Sequence, residues 1–251
     1  MTSSTRSPHG KDTVASLRAR LARLEREAAA RQRQLEHYAA DLREVFKQER
    51  ARAQELRRSY MATVRALSNA VEARDAYTGK HAERVAAYGL ALARAAGLEL
   101  ADSPQIEFGF LLHDVGKVAV PDAILFKPGP LTAIERAVIE QHPITGTEIV
   151  RDIEFLGAAR DVIRSHHERW DGGGYPDGLA SSDIPLSARV FAVADTLDAL
   201  TTQRPYRAAS SFPEARAIIE QESGAHFDPD VVAAYSDVDD SMIEDIRRTI
   251  G

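Results

Sequence analysis

The chain has 251 residues, 44% of them hydrophobic, which suits one globular domain of ordinary size with room for an appendage. It holds no cysteine, which excludes disulfides, thiolate metal ligands and cysteine nucleophiles and fits a reducing compartment. Residues 1–60 carry 14 Lys+Arg and 8 Asp+Glu, net +6, and the rest carry 18 and 30, net −12, so the acidic main region argues against DNA or RNA as a general partner.

The first twelve residues are polar and rich in Ser, Thr, Gly and Pro, and are expected to be a disordered tail. They contain no apolar run of signal-peptide length, and no later stretch approaches the roughly 18 apolar residues of a membrane span. A cytoplasmic protein with no membrane partner is expected. Residues 13–60 contain neither Pro nor Gly and are built from strong helix formers. Steps of four and three from Leu17 reach Leu21, Leu24, Ala28, Arg31, Leu35, Tyr38, Leu42, Val45, Glu49, Arg52 and Leu56. That is a heptad seam with polar breaks at Arg31, Glu49 and Arg52. The basic residues alternate with acids and read as a solvated helix face. The pattern predicts a parallel coiled coil pairing two copies, in preference to one amphipathic helix lying on the next domain.

From Met61 the texture changes, and 61–251 reads as one mostly helical domain. Helix starts are marked at Ser103-Pro104, His142-Pro143 and Asp228-Pro229. Thr132 with Glu135, and Ser211 with Glu214, form capping-box patterns. Period-two strand patterns are nearly absent. Val118–Val120 and the glycine-rich stretch 172–186 are the two places where short extended or hairpin structure is expected. The fold class is all-α, with seven to nine helices in this region after the long N-terminal helix.

Five histidines invite a metal: His81, His113, His142, His166 and His167, joined by Asp114 and Asp195. A lone buried histidine is usually a hydrogen-bonded core residue. Here His113-Asp114 ends the apolar run Phe108 to Leu112, His166-His167 ends another, and Asp195 interrupts the run Val190 to Leu200. Polar groups so placed must be satisfied somehow, since burying them unpaired is costly. Three such interruptions point to a shared polar centre, and imidazole with carboxylate suits iron, manganese or zinc. On the residues alone, Arg204 and Arg207 read as surface charges and Lys117 is undecided. The Gly172-Gly173-Gly174-Tyr175-Pro176 loop, next to Trp170, is either a wall of the site or a plain tight loop.

The stretch His113-Asp114-Val115-Gly116-Lys117 resembles the signature of the HD superfamily of metal-dependent phosphohydrolases, and His166 to Pro176 (HHERWDGGGYP) that of its HD-GYP branch. Further similar pieces lie at 77–85, 121–132, 142–146, 193–207 and 226–229, so the resemblance covers about residues 61–236. It implies an all-helical HD-type domain with two or three metals that hydrolyses cyclic di-GMP to linear pGpG, and on to GMP in a slower step. His81, His113, Asp114 and Asp195 would hold one metal, and Asp114, His142, His166 and His167 a second, with Asp114 as bridge. Relatives with a third metal carry Glu where this chain has Tyr77, so two divalent transition metals are expected here: iron or manganese first, zinc or nickel as alternatives. The catalytic roles implied are those of Asp114 and Lys117. Lys117, Arg204 and Arg207 would contact substrate phosphate, and Asp183 and Asp198 would support the ligands. A catalytically silent module that binds a cyclic dinucleotide or docks signalling proteins is the alternative. Another HD nucleotidase leaves the Gly-Tyr-Pro loop unexplained.

Overall fold

The structure is a computed structural model that describes residues 13–74, 80–95, 103–203 and 208–250. Its first helix, α1, spans Val14–Glu72. The chain divides after Ser59 into two compact units.

In the first unit the seam residues Leu17, Leu21, Leu24, Leu35, Tyr38, Leu42, Val45 and Leu56 are all exposed. Polar contacts one turn apart support the helix, such as Arg23 to Glu27 at 2.8 Å and Gln32 to Glu36 at 2.8 Å. Each such pair contributes only about 0.2–0.5 kcal/mol.

In the second unit the last turns of α1 change character. Val64 and Ser68 are buried and Tyr60 stacks on Phe155 with ring centroids 4.2 Å apart. The helix therefore does not stop near residue 60, where its sequence texture changes. It runs on because its buried stripe now packs on a core. Ten α-helical segments follow among the described residues: α2 (His81–Ala95), α3 (Pro104–Leu112), α4 (Asp122–Leu125), α5 (Ala133–Ile139), α6 (His142–Ile149), α7 (Ala159–Ser165), α8 (Leu186–Thr201), α9 (Phe212–Gln221), α10 (Pro229–Ser236) and α11 (Asp240–Ile250). The fold is all-α as expected. The count exceeds nine because turns as short as α4 stand as separate segments between tight loops.

α8 is the axis of the core. Val190, Phe191, Val193 and Leu197 are almost fully buried, and the helix packs against α2, α7 and α9. α3 is mostly apolar, with Phe108, Phe110, Leu111 and Leu112 buried, and it packs against α2 and α7. Both expected capping boxes form, at Thr132 and Ser211. Asp228 caps α10 by accepting the Asp230 N–H at 2.8 Å, whereas the Ser103 side chain makes no cap bond.

The two expected extended pieces are not strands, and no named strand occurs among the described residues. Val118–Val120 belongs to a 3-10 turn over Val115–Ala119 and its exit. Gly116 permits that turn to press on α6: a Cβ there would lie 1.9 Å from the His142 carbonyl oxygen. Stretch 172–186 is a series of turns. The buried Glu168 carboxylate accepts the N–H groups of Asp177 (2.7 Å) and Leu179 (3.0 Å), which takes the donors a hairpin ladder needs.

Candidate metal centre

The polar centre is made where helices end. His113 and Asp114 follow the last residue of α3, His166 and His167 follow α7, His142 opens α6, His81 opens α2, and Asp195 lies within α8. Their ligand atoms form two groups, Asp114, His142, His166 and His167 in one and His81, His113 and Asp195 in the other, all within 4.8 Å of one another in each group. All seven expected residues thus come together, in two clusters that can hold metal ions. Asp114 falls geometrically in the first group but touches the second. Its Oδ1 lies 3.3 Å from His142 Nε2 and its Oδ2 lies 3.1 Å from His113 Nε2.

Three of the imidazoles are oriented by a backbone carbonyl three residues before them. Nδ1 of His113 donates to the Phe110 carbonyl (2.9 Å), that of His142 to Ile139 (2.7 Å) and that of His166 to Ile163 (3.0 Å). A carbonyl only accepts, so in each neutral ring the proton sits on Nδ1 and the Nε2 lone pair faces the cluster. His81 differs: its Nδ1 donates to Asp198 at 2.8 Å, which leaves Nε2 3.4 Å from Asp195.

Burial keeps His166 uncharged far below the usual imidazole range, with the neighbouring His167, His113 and His142 adding to the effect. Burial also lowers His167 to about 3, reinforced by His142. For His81 burial opposes the charge, but the Asp198 hydrogen bond and the charges of Asp195, Asp198 and Asp114 outweigh it and raise the value to about 9. Asp114 is held well below the carboxylate range: burial opposes its charge, and His113 and Lys117 overcome that. Its buried Oδ1 nevertheless has no hydrogen-bond partner. A bare carboxylate oxygen among bare imidazole nitrogens is a donor set that fits a divalent transition metal and little else.

Lys117 Nζ sits 2.7 Å from Asp114 Oδ2, at the edge of the clusters. Asp198 is buried and bound to His81, and Arg84 clamps its other side through Nε at 2.7 Å. Asp183 is exposed on the turn Ser181–Asp183, outside both clusters, so its expected supporting role has no structural basis. Tyr77, Arg204 and Arg207 lie outside the described residues. Two neighbours, Arg84 and Glu168, were not foreseen in the sequence, whereas the loop carrying Tyr175 reads there as either a wall of the site or a plain tight loop. Arg84 stands one helical turn after His81, a spacing that could have pointed to it. Glu168 directly follows the paired histidines. Tyr175 stacks on His167 with centroids 4.7 Å apart. Gly174 permits this, since a Cβ there would lie 2.5 Å from the Arg169 nitrogen and 2.6 Å from the His167 carbonyl oxygen.

A family profile described as HD domain matches residues 65–231, about two thirds of the chain. The chain belongs to the HD domain family. Its Gly-Tyr-Pro loop places it in the HD-GYP branch, and its relatives agree. This HD-GYP chain is similar to a 3′3′-cGAMP-specific phosphodiesterase of Vibrio cholerae, 42% identical over 180 residues, which are 71% of this chain and 34% of that protein. It is also similar to a cyclic di-GMP phosphodiesterase of Thermotoga maritima, 38% identical over 70% of this chain and 49% of that one. The chain thus spans between a third and a half of the length of these relatives. A crystal structure of a cyclic GMP-AMP-specific phosphodiesterase of V. cholerae shares the fold, with a TM-score of 0.52, 20% identity, and coverage of 74% of this chain and 48% of that one. No helix among the described residues is long and apolar enough to cross a membrane.

Proposed function

We propose that the chain is a metal-dependent phosphodiesterase acting on a cyclic dinucleotide, with cyclic di-GMP as its substrate. The observation that carries the reading is Asp114, whose two oxygens reach into the two clusters at 3.3 and 3.1 Å. One carboxylate between two groups of histidines is the arrangement a paired-metal site requires. In this reading His81, His113, Asp114 and Asp195 hold one ion and Asp114, His142, His166 and His167 the other. Two divalent ions so held would supply Lewis acidity, stabilising charge on phosphoryl oxygens and making a nearby water more acidic.

The protein's own part is placement. Asp114 stays ionised, because Lys117 and His113 keep its proton off. Lys117, 2.7 Å from Asp114, brings one positive charge to the edge where a phosphate would enter. Arg204 and Arg207 are assigned to the substrate phosphates, for which a guanidinium fork is well shaped. Tyr175 covers His167 and narrows the approach. Hydrolysis breaks one phosphorus–oxygen bond to a ribose 3′ oxygen and gives linear pGpG.

The seam on residues 17–56 belongs to the same reading, as a parallel homodimer contact. Eight large seam residues are exposed together there, and a second copy of the seam is the surface that matches their spacing.

The test is turnover by the full chain, purified anaerobically and loaded with iron(II) or manganese(II), of cyclic di-GMP and of 3′3′-cGAMP side by side. Release of pGpG at a rate above that of cGAMP cleavage is expected. Faster cleavage of cGAMP would replace the substrate, and a metal-loaded protein that binds cyclic di-GMP without cleaving it would make the chain a sensor.

A further inference from the structure

The end of α1 touches the metal centre in a way that ligand identity does not explain. Val64, Ser68 and Glu72 lie four residues apart on one stripe, and Ser68 is buried in an otherwise apolar contact. A polar group so placed must find partners. Ser68 Oγ donates to the Leu111 carbonyl at 2.7 Å, two residues before His113. One turn later Glu72 Oε1 accepts the Ala82 N–H at 2.6 Å, one residue after His81. Glu72 is the last residue of α1, and Lys80, at φ 60°, turns the chain into α2.

The opening N–H groups of a helix have no partner within it, and a carboxylate there satisfies one of them and meets the positive end of the helix dipole. Glu72 does this for α2 from another helix. His81 stands at that opening, with its ring held separately by Asp198. Two carboxylates therefore fix the position of one imidazole, Asp198 directly at its Nδ1 and Glu72 through the N–H of the next residue, Ala82. Glu72, His81, Ala82, His113 and Asp114 all line one cavity of about 30 Å³, so the carboxyl group is a direct neighbour of the ligands it would steady.

We infer that Glu72 is a positioning residue: it holds the start of α2 so that His81 completes the cluster with His113 and Asp195. The inference rests on the reading of these three as metal ligands. It contacts neither substrate nor metal in this role. Its acceptor oxygen and its reach matter.

Cobalt(II) binding by the full chain tests this without turnover, read as stoichiometry and as the visible ligand-field spectrum. Wild type should take up two ions. Glu72→Ala should keep one ion tightly and bind the other about tenfold or more weakly, the size expected when a ligand loses its outer support, with a changed spectrum for that ion. Glu72→Gln keeps an acceptor at the same reach and should restore both ions. If the alanine variant does not fold, Gln and Asp decide: Gln should load normally, while Asp, with the charge but a shorter reach, should load weakly. Equal loading and identical spectra in all folded variants would overturn the inference alone. A wild type that takes up no cobalt would overturn it together with the proposed function.

Discussion

His142 Nε2 and His166 Nε2 face one another at 3.1 Å, while Nδ1 of each is turned to the backbone carbonyl three residues before it. Two nitrogen lone pairs at that separation repel unless a cation lies against them. The folded protein should therefore be less stable without metal. A ligand at a hundred times its dissociation constant adds about 2.7 kcal/mol, and for a domain of this size each kcal/mol moves Tm by roughly 2–4 °C. Dialysis against a strong chelator should lower Tm by several degrees, and manganese(II) should restore it. A Tm indifferent to chelator would mean that the cluster is held by protons or water.

Asp114 should be the hardest of the seven residues to replace. Asp114→Ala should remove activity and reduce the metal in both clusters, because one side chain serves both. Asp114→Asn keeps the shape and loses the charge, so part of the metal should remain without turnover. Metal analysis and turnover on the same samples check this, and near-normal turnover by either variant would show that the bridge is elsewhere.

Asp198 and Asp183 make a matched pair for testing support of the ligands. Asp198→Asn weakens the hold on His81 Nδ1 and leaves Arg84 facing an uncharged amide. Loss of such an outer partner typically costs 10–100-fold in metal affinity or activity. Asp183→Asn, on an exposed turn, should change neither. Titration with zinc(II) against a competing indicator measures both variants. Equal affinities would remove Asp198 from the site.

The glycines should divide by what surrounds them. Gly116→Ala drives a methyl into the His142 carbonyl, and Gly174→Ala drives one into backbone at 168 and 169. Backbone must shift in both, which costs on the order of 1–3 kcal/mol or more. At Gly157 the nearest atoms are 3.6 Å away and φ is −47°, so Gly157→Ala should be neutral or slightly stabilising. Urea melts of the three variants read this directly. A Gly116→Ala protein of wild-type stability would be incompatible with the contact between the 3-10 turn and α6.

The seam predicts a dimer in solution. Sedimentation of the full chain at micromolar concentration should give a dimer, and Leu21→Glu with Leu42→Glu should give a monomer that keeps its metal. A monomeric wild type would remove the coiled coil from the reading.

The sequence made the local signals legible and left the contacts at a distance hidden. Thr132 with Glu135 and Ser211 with Glu214 announce helix starts because a capping box is completed within four residues. His113-Asp114, His166-His167 and Asp195 stand out because they end or interrupt apolar runs, and a core cannot ignore such an interruption. The partner of His81 Nδ1 is a different matter. Asp198 is 117 residues away, and only the packing of α2 on α8 brings it near. The same holds for Glu72, whose charge looks like ordinary helix surface until Ala82 is placed beside it. Val118–Val120 read as extended because β-branched residues favour that shape, but the contact of Gly116 with α6 overrides the preference.

Asp195 and Asp198 stand one turn apart on α8, one in the cluster and one behind His81. Adding or removing a single residue upstream of them in that helix would swing both carboxylates by about 100° and slide them by about 1.5 Å, and no side-chain adjustment could recover two contacts at once. The exposed Pro128-Gly129-Pro130 link between α4 and α5 has no such duty. Over evolutionary time, gains and losses of residues should gather in links of that kind, while α8 keeps its length and changes only by substitution.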